Sequence, residues 1–278
     1  MAEHPQIYFH LGLGKTGTTF LQYRAFPYFK GFHYIQRTKY RRAKEIIAKS
    51  NANRFFISFE CDQQLERVVK DWVKDHPQTT PILVFRRHDS WIASQFRRFL
   101  KNCNVTRFEE LLDLDKDTGK FKRKDLLFMP MIRMVEASFM SKPIVLLYDD
   151  MRADPKTFIS VLARRMSSSV DVDSLDFSKK HSSYSDRQLA FVRKVSHYIP
   201  LRNKVVYSNR GIEFLRKSSV SWTRYLILFI GKFWPDQLKG KPLIDAATLK
   251  AVKDDYSQDW NEVVEYVRKN QVIDAFHD

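Results

Sequence analysis

The segment GKTGTT, residues 14–19, places a lysine, a glycine and hydroxyl side chains directly after an apolar strand pattern. Unpaired backbone amides at the start of a helix bind anions, and a neighbouring lysine adds a point charge. Gly17 permits a close approach of the backbone to a ligand. The segment therefore predicts a compact anion-binding loop around Lys15. Its additional hydroxyl donors are those of Thr16, Thr18 and Thr19.

The triplet Gly14-Lys15-Thr16 also occurs in Walker A loops, which bind nucleoside triphosphates. Such a loop needs a glycine five positions before the Gly-Lys pair, and that position is Phe9, inside the strand pattern. The loop is therefore too short to wrap around a triphosphate in the usual way. A small-molecule kinase remains an alternative, and it predicts dependence on magnesium and ATP.

Strand and helix patterns alternate along the first two thirds of the chain, which favours a parallel sheet with helices on both faces. Almost wholly apolar runs such as PILVF, residues 81–85, are typical of strands that are covered on both sides. The last third is predicted to be helical, over about 185–198, 212–234 and 246–270.

The ends of the predicted strands carry residues that are suited to anion chemistry. In open parallel sheets, ligands bind beyond the carboxyl ends of the strands. We therefore expect these strand-end residues to converge on one site. They are residues 15–19, Glu60, Arg86 and Tyr148.

The charge of the chain favours an anionic partner. The 278 residues include 48 Lys and Arg against 32 Asp and Glu, a formal net charge of +16. Such a field attracts nucleic acids, acidic glycans, anionic lipids and nucleotides. A nucleic-acid-binding protein is the weaker alternative, since no readable recognition motif is present; its affinity would fall steeply with salt. Cys61 and Cys103 imply no disulfide framework and favour a reducing compartment.

The apolar runs of the chain are short. The longest, residues 225–234, falls far below the roughly 20 residues needed to cross a bilayer. Aromatic and basic residues allow a peripheral membrane contact through residues 222–234, although a buried helix is the simpler interpretation. We expect a cytoplasmic protein, because a strand pattern begins almost at once and leaves no room for a signal peptide.

The segment GKTGTTFLQ resembles the phosphosulfate-binding loop of sulfotransferases that use 3′-phosphoadenosine 5′-phosphosulfate (PAPS), in their bacterial and glycan-type branch. That loop usually reads Pro-Lys-Ser/Thr-Gly-Thr-Thr, and Gly14 here replaces the proline, which would loosen the turn. The resemblance implies a P-loop-NTPase-like α/β fold, a central parallel sheet flanked by helices, with a helical C-terminal third. It implies a single domain over 1–278, with a donor-binding core over about 6–170 and a helical part over about 180–278.

The resemblance also assigns the donor site. Lys15 and residues 16–19 would hold the 5′-phosphosulfate. Arg86 and Ser94 match the family's arginine and, eight residues later, serine, which bind the 3′-phosphate; a guanidinium grips a phosphate through two parallel hydrogen bonds. Lys15 and the helix amides can replace the magnesium that kinases need. The expected co-substrate is PAPS, the product is 3′,5′-adenosine bisphosphate, and no metal is expected.

Transfer to an acceptor hydroxyl needs a base, which is worth roughly 10²–10⁴-fold in rate. Glu60 resembles the glutamate of the Ser-x-Glu segment in bacterial members, so the resemblance implies in-line displacement with Glu60 as the base and Lys15 stabilising the leaving oxygen. A carboxylate among positive charges stays ionised. His88 and His33 are the rival bases. The favoured acceptor is a hydroxyl on a glycan or glycolipid.

Overall fold

The computed structural model of the chain describes residues 5–178, 184–199, 208–235 and 242–271. These residues group into two compact units. The predicted single domain, with a donor-binding core over about 6–170, stays a prediction. The first unit comprises residues 5–91, 125–178 and 255–271, and the second comprises residues 92–124, 184–199, 208–235 and 242–254.

The first unit is built on a five-stranded parallel sheet in the order β2-β3-β1-β4-β5. The central strand β1 is almost wholly buried, as a strand between two neighbours and two layers of helices must be. This sheet confirms the predicted fold class. The strands are β1 (Gln6–Gly12), β2 (His33–Ile35), β3 (Arg54–Glu60), β4 (Thr80–Phe85) and β5 (Ile144–Leu147).

Helices follow or connect the strands. The first is short and continues as a π-helical turn over Leu21–Ala25 and a 3₁₀ turn over Phe26–Tyr28. The helices are α1 (Thr18–Phe20), α2 (Ala43–Lys49), α3 (Leu65–Trp72), α4 (His88–Lys101), α5 (Phe128–Ser138), α6 (Tyr148–Ala153), α7 (Pro155–Arg165), α8 (Asp186–Val195), α9 (Arg210–Ile230), α10 (Ala246–Asp255) and α11 (Ser257–Gln271). Within the described ranges, none of them is long and apolar enough to cross a bilayer.

Two helical features differ from the sequence-based prediction. Helix α5 was not predicted, because Pro130 stands in its first turn and its sequence is apolar on several sides rather than periodic. The predicted helix over about 246–270 is divided at Tyr256, which is only 4% exposed and stacks on the ring of His88 at 5.1 Å. Packing of this tyrosine, which no local pattern reveals, ends α10 and starts α11.

A buried carboxylate fixes the start of α5. Asp259 of α11 accepts hydrogen bonds from the backbone amides of Phe128 (2.9 Å) and Met129 (3.0 Å). The same carboxylate lies 3.0 Å from Nε2 of His88. It thereby satisfies two amides that have no partner inside α5. The last described helix is thus a structural part of the sheet-containing unit.

Candidate active site

The register of the sheet brings the predicted site residues to one edge. Gly12, the last residue of β1, pairs with Glu60 at the end of β3. Strands β4 and β5 also end in register, so that Arg86 and Tyr148, which follow them, leave the sheet side by side. The Arg86 guanidinium lies 4.9 Å from the centre of the Tyr148 ring. The loop after Gly12 opens at this same carboxyl edge.

The loop between β1 and α1 contains two residues with left-handed backbone, Lys15 at φ 74° and Gly17 at φ 82°. A side chain at Gly17 would be strained by this backbone. It would also collide with the protein, since a Cβ would lie 2.0 Å from Cε of Met151 and 3.3 Å from Cε2 of Tyr148. The sequence suggested that Gly17 permits the approach of a ligand. The structure gives it a packing reason, contact with Met151 of α6.

The backbone N–H and the carbonyl oxygen of Gly14 each form a hydrogen bond with a side chain. Its N–H donates to Oδ1 of Asp62 (2.6 Å), and the indole N–H of Trp91 donates to its carbonyl oxygen (2.9 Å). A proline has no N–H and could not make the first bond. The glycine that replaces the expected proline therefore does not loosen the turn. Sequence reasoning missed Asp62, although it lies just two residues beyond the end of β3.

The threonines of the loop use their hydroxyls in different ways. Thr16 is buried, and its hydroxyl donates to the carbonyl oxygen of Leu13 (2.6 Å), which closes the turn. The hydroxyl of Thr18 donates to Oε1 of Glu60 (2.9 Å). Thr19 is exposed. The structure therefore joins the loop predicted to bind an anion to the predicted base through Thr18.

Glu60 is half-buried at the end of β3. Its Oε1 atom also accepts a hydrogen bond from Nη1 of Arg37, at 2.9 Å. Within the described residues, its Oε2 atom accepts no hydrogen bond. Arg37 begins a 3₁₀ helix, Arg37–Arg42, just after β2. Sequence reasoning missed Arg37, although parallel strands β2 and β3 must end at the same edge.

Arg86 connects the two predicted motifs. Its Nε donates to Oγ of Ser90 (2.9 Å), and its Nη1 donates to the carbonyl oxygen of Lys15 (3.3 Å). Burial lowers the pKa of the guanidinium, but an arginine remains protonated at neutral pH. A permanent positive charge is therefore fixed against the loop that carries Lys15. Nη2 of Arg86 has no hydrogen-bond partner in the part of the chain that the structure describes.

Three predicted candidates remain. Ser94 is half-buried on α4 in the second unit, and its pairing with Arg86 stays a prediction. His88 is 1% exposed, with its ring stacked on Phe128 at 4.2 Å and paired with Asp259, so it has no access to an acceptor. His33 is exposed at the start of β2, away from the carboxyl edge. Among the described residues, no three His, Cys, Asp or Glu side chains cluster as a metal site would require.

No family model and no curated protein matches the sequence. Among solved structures, the chain is similar to a sulfotransferase from Alicyclobacillus acidocaldarius, with a TM-score of 0.51 and 12% identity, over 70% of this chain and 95% of that one. The chain has the sulfotransferase fold. At this identity the likeness shows the sulfotransferase fold alone, and it agrees with the parallel sheet and flanking helices described above.

Two further structures show a looser likeness. Mouse sulfotransferase SULT7A1, complexed with PAP, gives a TM-score of 0.40 at 14% identity, over 90% of this chain and 88% of that one. Retinol dehydratase in a complex with retinol and PAP gives a TM-score of 0.29 at 13% identity, over 99% of this chain and 83% of that one. At these TM-scores the overlap supports no inference about this chain.

Proposed function

We propose that this protein transfers a sulfuryl group from PAPS to an acceptor hydroxyl. The observation that carries the proposal is the hydrogen bond from Arg86 to the carbonyl oxygen of Lys15, at 3.3 Å. It joins the two motifs that resemble sulfotransferase donor sites, on a chain with the sulfotransferase fold. The guanidinium that follows β4 thus contacts the loop that follows β1 at the carboxyl edge of the sheet, where such folds bind ligands.

The residues at this edge suit a ligand with several negative charges. Lys15 supplies a point charge and Arg86 a guanidinium whose Nη2 is open to a further acceptor. The amides at the start of the helical run over residues 18–28 add donors. PAPS, when bound, supplies the sulfuryl group and a nucleotide leaving group. Lys15 and the loop would hold its phosphosulfate, with Arg86 at its 3′-phosphate; the part of Ser94 there stays a prediction.

The proton of the acceptor hydroxyl would be taken by Glu60. Thr18 and Arg37 both donate to Oε1 and fix the direction of the carboxylate. This leaves Oε2 as the atom that can accept the proton. Because Thr18 belongs to the donor-binding loop, the base and the donor site are positioned by one short segment. Lys15 would stabilise the negative charge that develops on the departing oxygen.

A glycan or glycolipid is the proposed acceptor. Arg37 begins the 3₁₀ helix beside Glu60, and this helix also exposes Lys39 and Arg41. Neither of these two cations has an ion-pair partner among the described residues. Their positive charge favours a polar acceptor that itself carries negative charge, such as an acidic glycan. A cytoplasmic location and the absence of a nucleic-acid partner remain predictions.

The donor is tested by thermal stability in the presence of 3′,5′-adenosine bisphosphate without metal. A ligand at about 100 times its Kd stabilises a protein by about 2.7 kcal/mol, which raises the Tm measurably. We expect this shift for the unaltered chain and its loss in Lys15→Ala and in Arg86→Ala. Lys39→Ala, an exposed lysine of the same unit, is the matched control and should keep the shift.

The same assay separates sulfotransferase from kinase. A kinase site would be stabilised by ATP with magnesium and not by the bisphosphate alone. No shift of the unaltered chain with the bisphosphate, or a shift only with ATP and magnesium, would end the proposal.

A further inference from the structure

Among the described residues, one side of helix α9 and of the 3₁₀ turn after it, Gly231–Phe233, contacts the rest of the second unit. Ile227 and Leu228 are 6% and 1% exposed. Gln188 of α8 donates to the carbonyl oxygen of Leu228 at 2.9 Å. At Gly231 the two segments approach so closely that a Cβ would lie 3.1 Å from Cα of Gln188. These contacts decide which side of α9 faces the rest of the second unit and which side faces away from it.

That other side is apolar and uncovered by any described residue. Five large apolar side chains on that side are 57–76% exposed. Their spacings of seven, four, three and four residues place them along one stripe of the helix. We call this stripe the α9 apolar face, and it consists of Leu215, Trp222, Leu226, Phe229 and Phe233. An exposed apolar patch of this kind marks an interaction site.

The charge of the segment indicates which partner fits. Residues 210–233 include five Lys and Arg residues and one acidic residue, Glu213. Lys232 is exposed next to Phe233, whereas the exposed Lys217 forms an ion pair with Glu213 at 3.2 Å. A helix with bulky apolar residues on one side and a net positive charge is attracted to the interface of an anionic bilayer. A second copy of the chain would bring the same positive segment against itself, which like-charge repulsion disfavours.

We propose that α9 binds the surface of an anionic bilayer, lying parallel to it with the α9 apolar face inserted among the headgroups. The inference rests on the second unit alone and does not depend on the proposed sulfuryl transfer. It extends the contact expected from the sequence, residues 222–234, back to Leu215. It also corrects the interpretation of this run as a buried helix, because just Ile227, Leu228 and Gly231 of residues 222–234 are buried.

Vesicle binding tests this directly. The intact chain is co-sedimented with phosphatidylcholine vesicles, with or without phosphatidylserine. We expect binding to the anionic vesicles, weakened when salt rises from about 0.1 M to about 1 M, which shortens the Debye length from about 10 Å to about 3 Å. The triple change Trp222→Ser, Phe229→Ser, Phe233→Ser should weaken binding by at least about tenfold. Lys232→Glu should weaken it about fivefold or more.

The matched control is the pair Tyr28→Ser and Met140→Ser, which removes exposed apolar side chains from the first unit (55% and 80% exposed) and should bind like the parent. Brominated lipids give a second readout that needs only a mild change. They should quench the fluorescence of the parent, and Trp222→Phe should remove most of this quenching.

Three outcomes would overturn the proposal. The first is no binding to anionic vesicles, and the second is equal binding by the triple variant. The third is self-association in solution that the triple variant abolishes while vesicles have no effect, which would make this face a contact between copies. None of these results bears on donor binding, which is measured separately.

Discussion

The two units treat their apolar side chains in opposite ways. In the first, a cluster of aromatic residues is packed inside, as with Phe26 and Phe56, whose ring centres lie 4.5 Å apart. In the second, the large apolar residues of α9 face outward, with Trp222 76% exposed and Phe233 67% exposed. Cations also differ in use: Arg86 is fixed by hydrogen bonds, whereas Lys232 is exposed on the surface.

This difference separates two kinds of function. Chemistry on a charged donor requires groups held in fixed directions, and a sheet with a packed interior supplies them. Binding to a fluid surface requires exposed apolar area and charge rather than fixed geometry. We therefore expect changes in the first unit to alter donor binding and catalysis, and changes on α9 to alter vesicle binding alone.

The largest effect should come from Glu60→Gln. Glutamine can still accept hydrogen bonds from Thr18 and Arg37 but cannot take a proton, so transfer should fall by about 10²–10⁴-fold. The measurement is transfer of radiolabelled sulfate to the best acceptor in a panel of glycans and glycolipids. Stabilisation by the bisphosphate should be unchanged, and Glu45→Gln on α2 is the control. A parental rate for Glu60→Gln would assign the base to another residue.

A smaller effect, on stability, is expected for Gly17→Ala. Its left-handed backbone and the collision with Met151 should together lower the free energy of unfolding by about 2–5 kcal/mol. Gly31→Ala is the matched control, since Gly31 has φ 81° but its Cβ would meet just the flexible end of Arg54, at 3.2 Å. Gly31→Ala should lower the free energy of unfolding through the backbone strain alone, by about 1–2 kcal/mol. The measurement is urea unfolding of both variants. An equal loss of unfolding free energy in Gly17→Ala and Gly31→Ala would refute the packing role of Gly17.

The smallest effect concerns the acid stability of the first unit. Burial lowers the pKa of His10 on β1 to about 3, whereas an unfolded histidine titrates near pH 6.5. Between these values the unfolded chain binds more protons, so the unfolding free energy falls by about 1.4 kcal/mol for each unit that the pH falls. His10→Asn should remove this contribution to the slope between about pH 6.5 and pH 5. An unchanged slope in urea titrations would show that His10 is not the source.

Much of the sheet was predictable because parallel strands carry local signals. Runs such as RFFISFE and PILVF are apolar enough to be read from the chain alone, and the glycine-rich loop after β1 marked the predicted anion site. The start of helix α5 could not be read from the sequence, because two of its amides are satisfied by Asp259, which lies 131 and 130 residues away along the chain. Such a cap is a contact between distant segments and leaves no local pattern.

The sequence by itself determined the residues of the proposed site, namely Lys15 and the threonines of its loop, Glu60 and Arg86. It also determined the strands that carry them to one edge, because hydrophobic periodicity and glycine placement act within a few residues. Only the tertiary structure decided that Arg37 faces Glu60 and that Asp62 holds Gly14. It also decided that the α9 apolar face points outward. These facts depend on which segments pack together, and packing is settled by contacts between residues far apart in the chain.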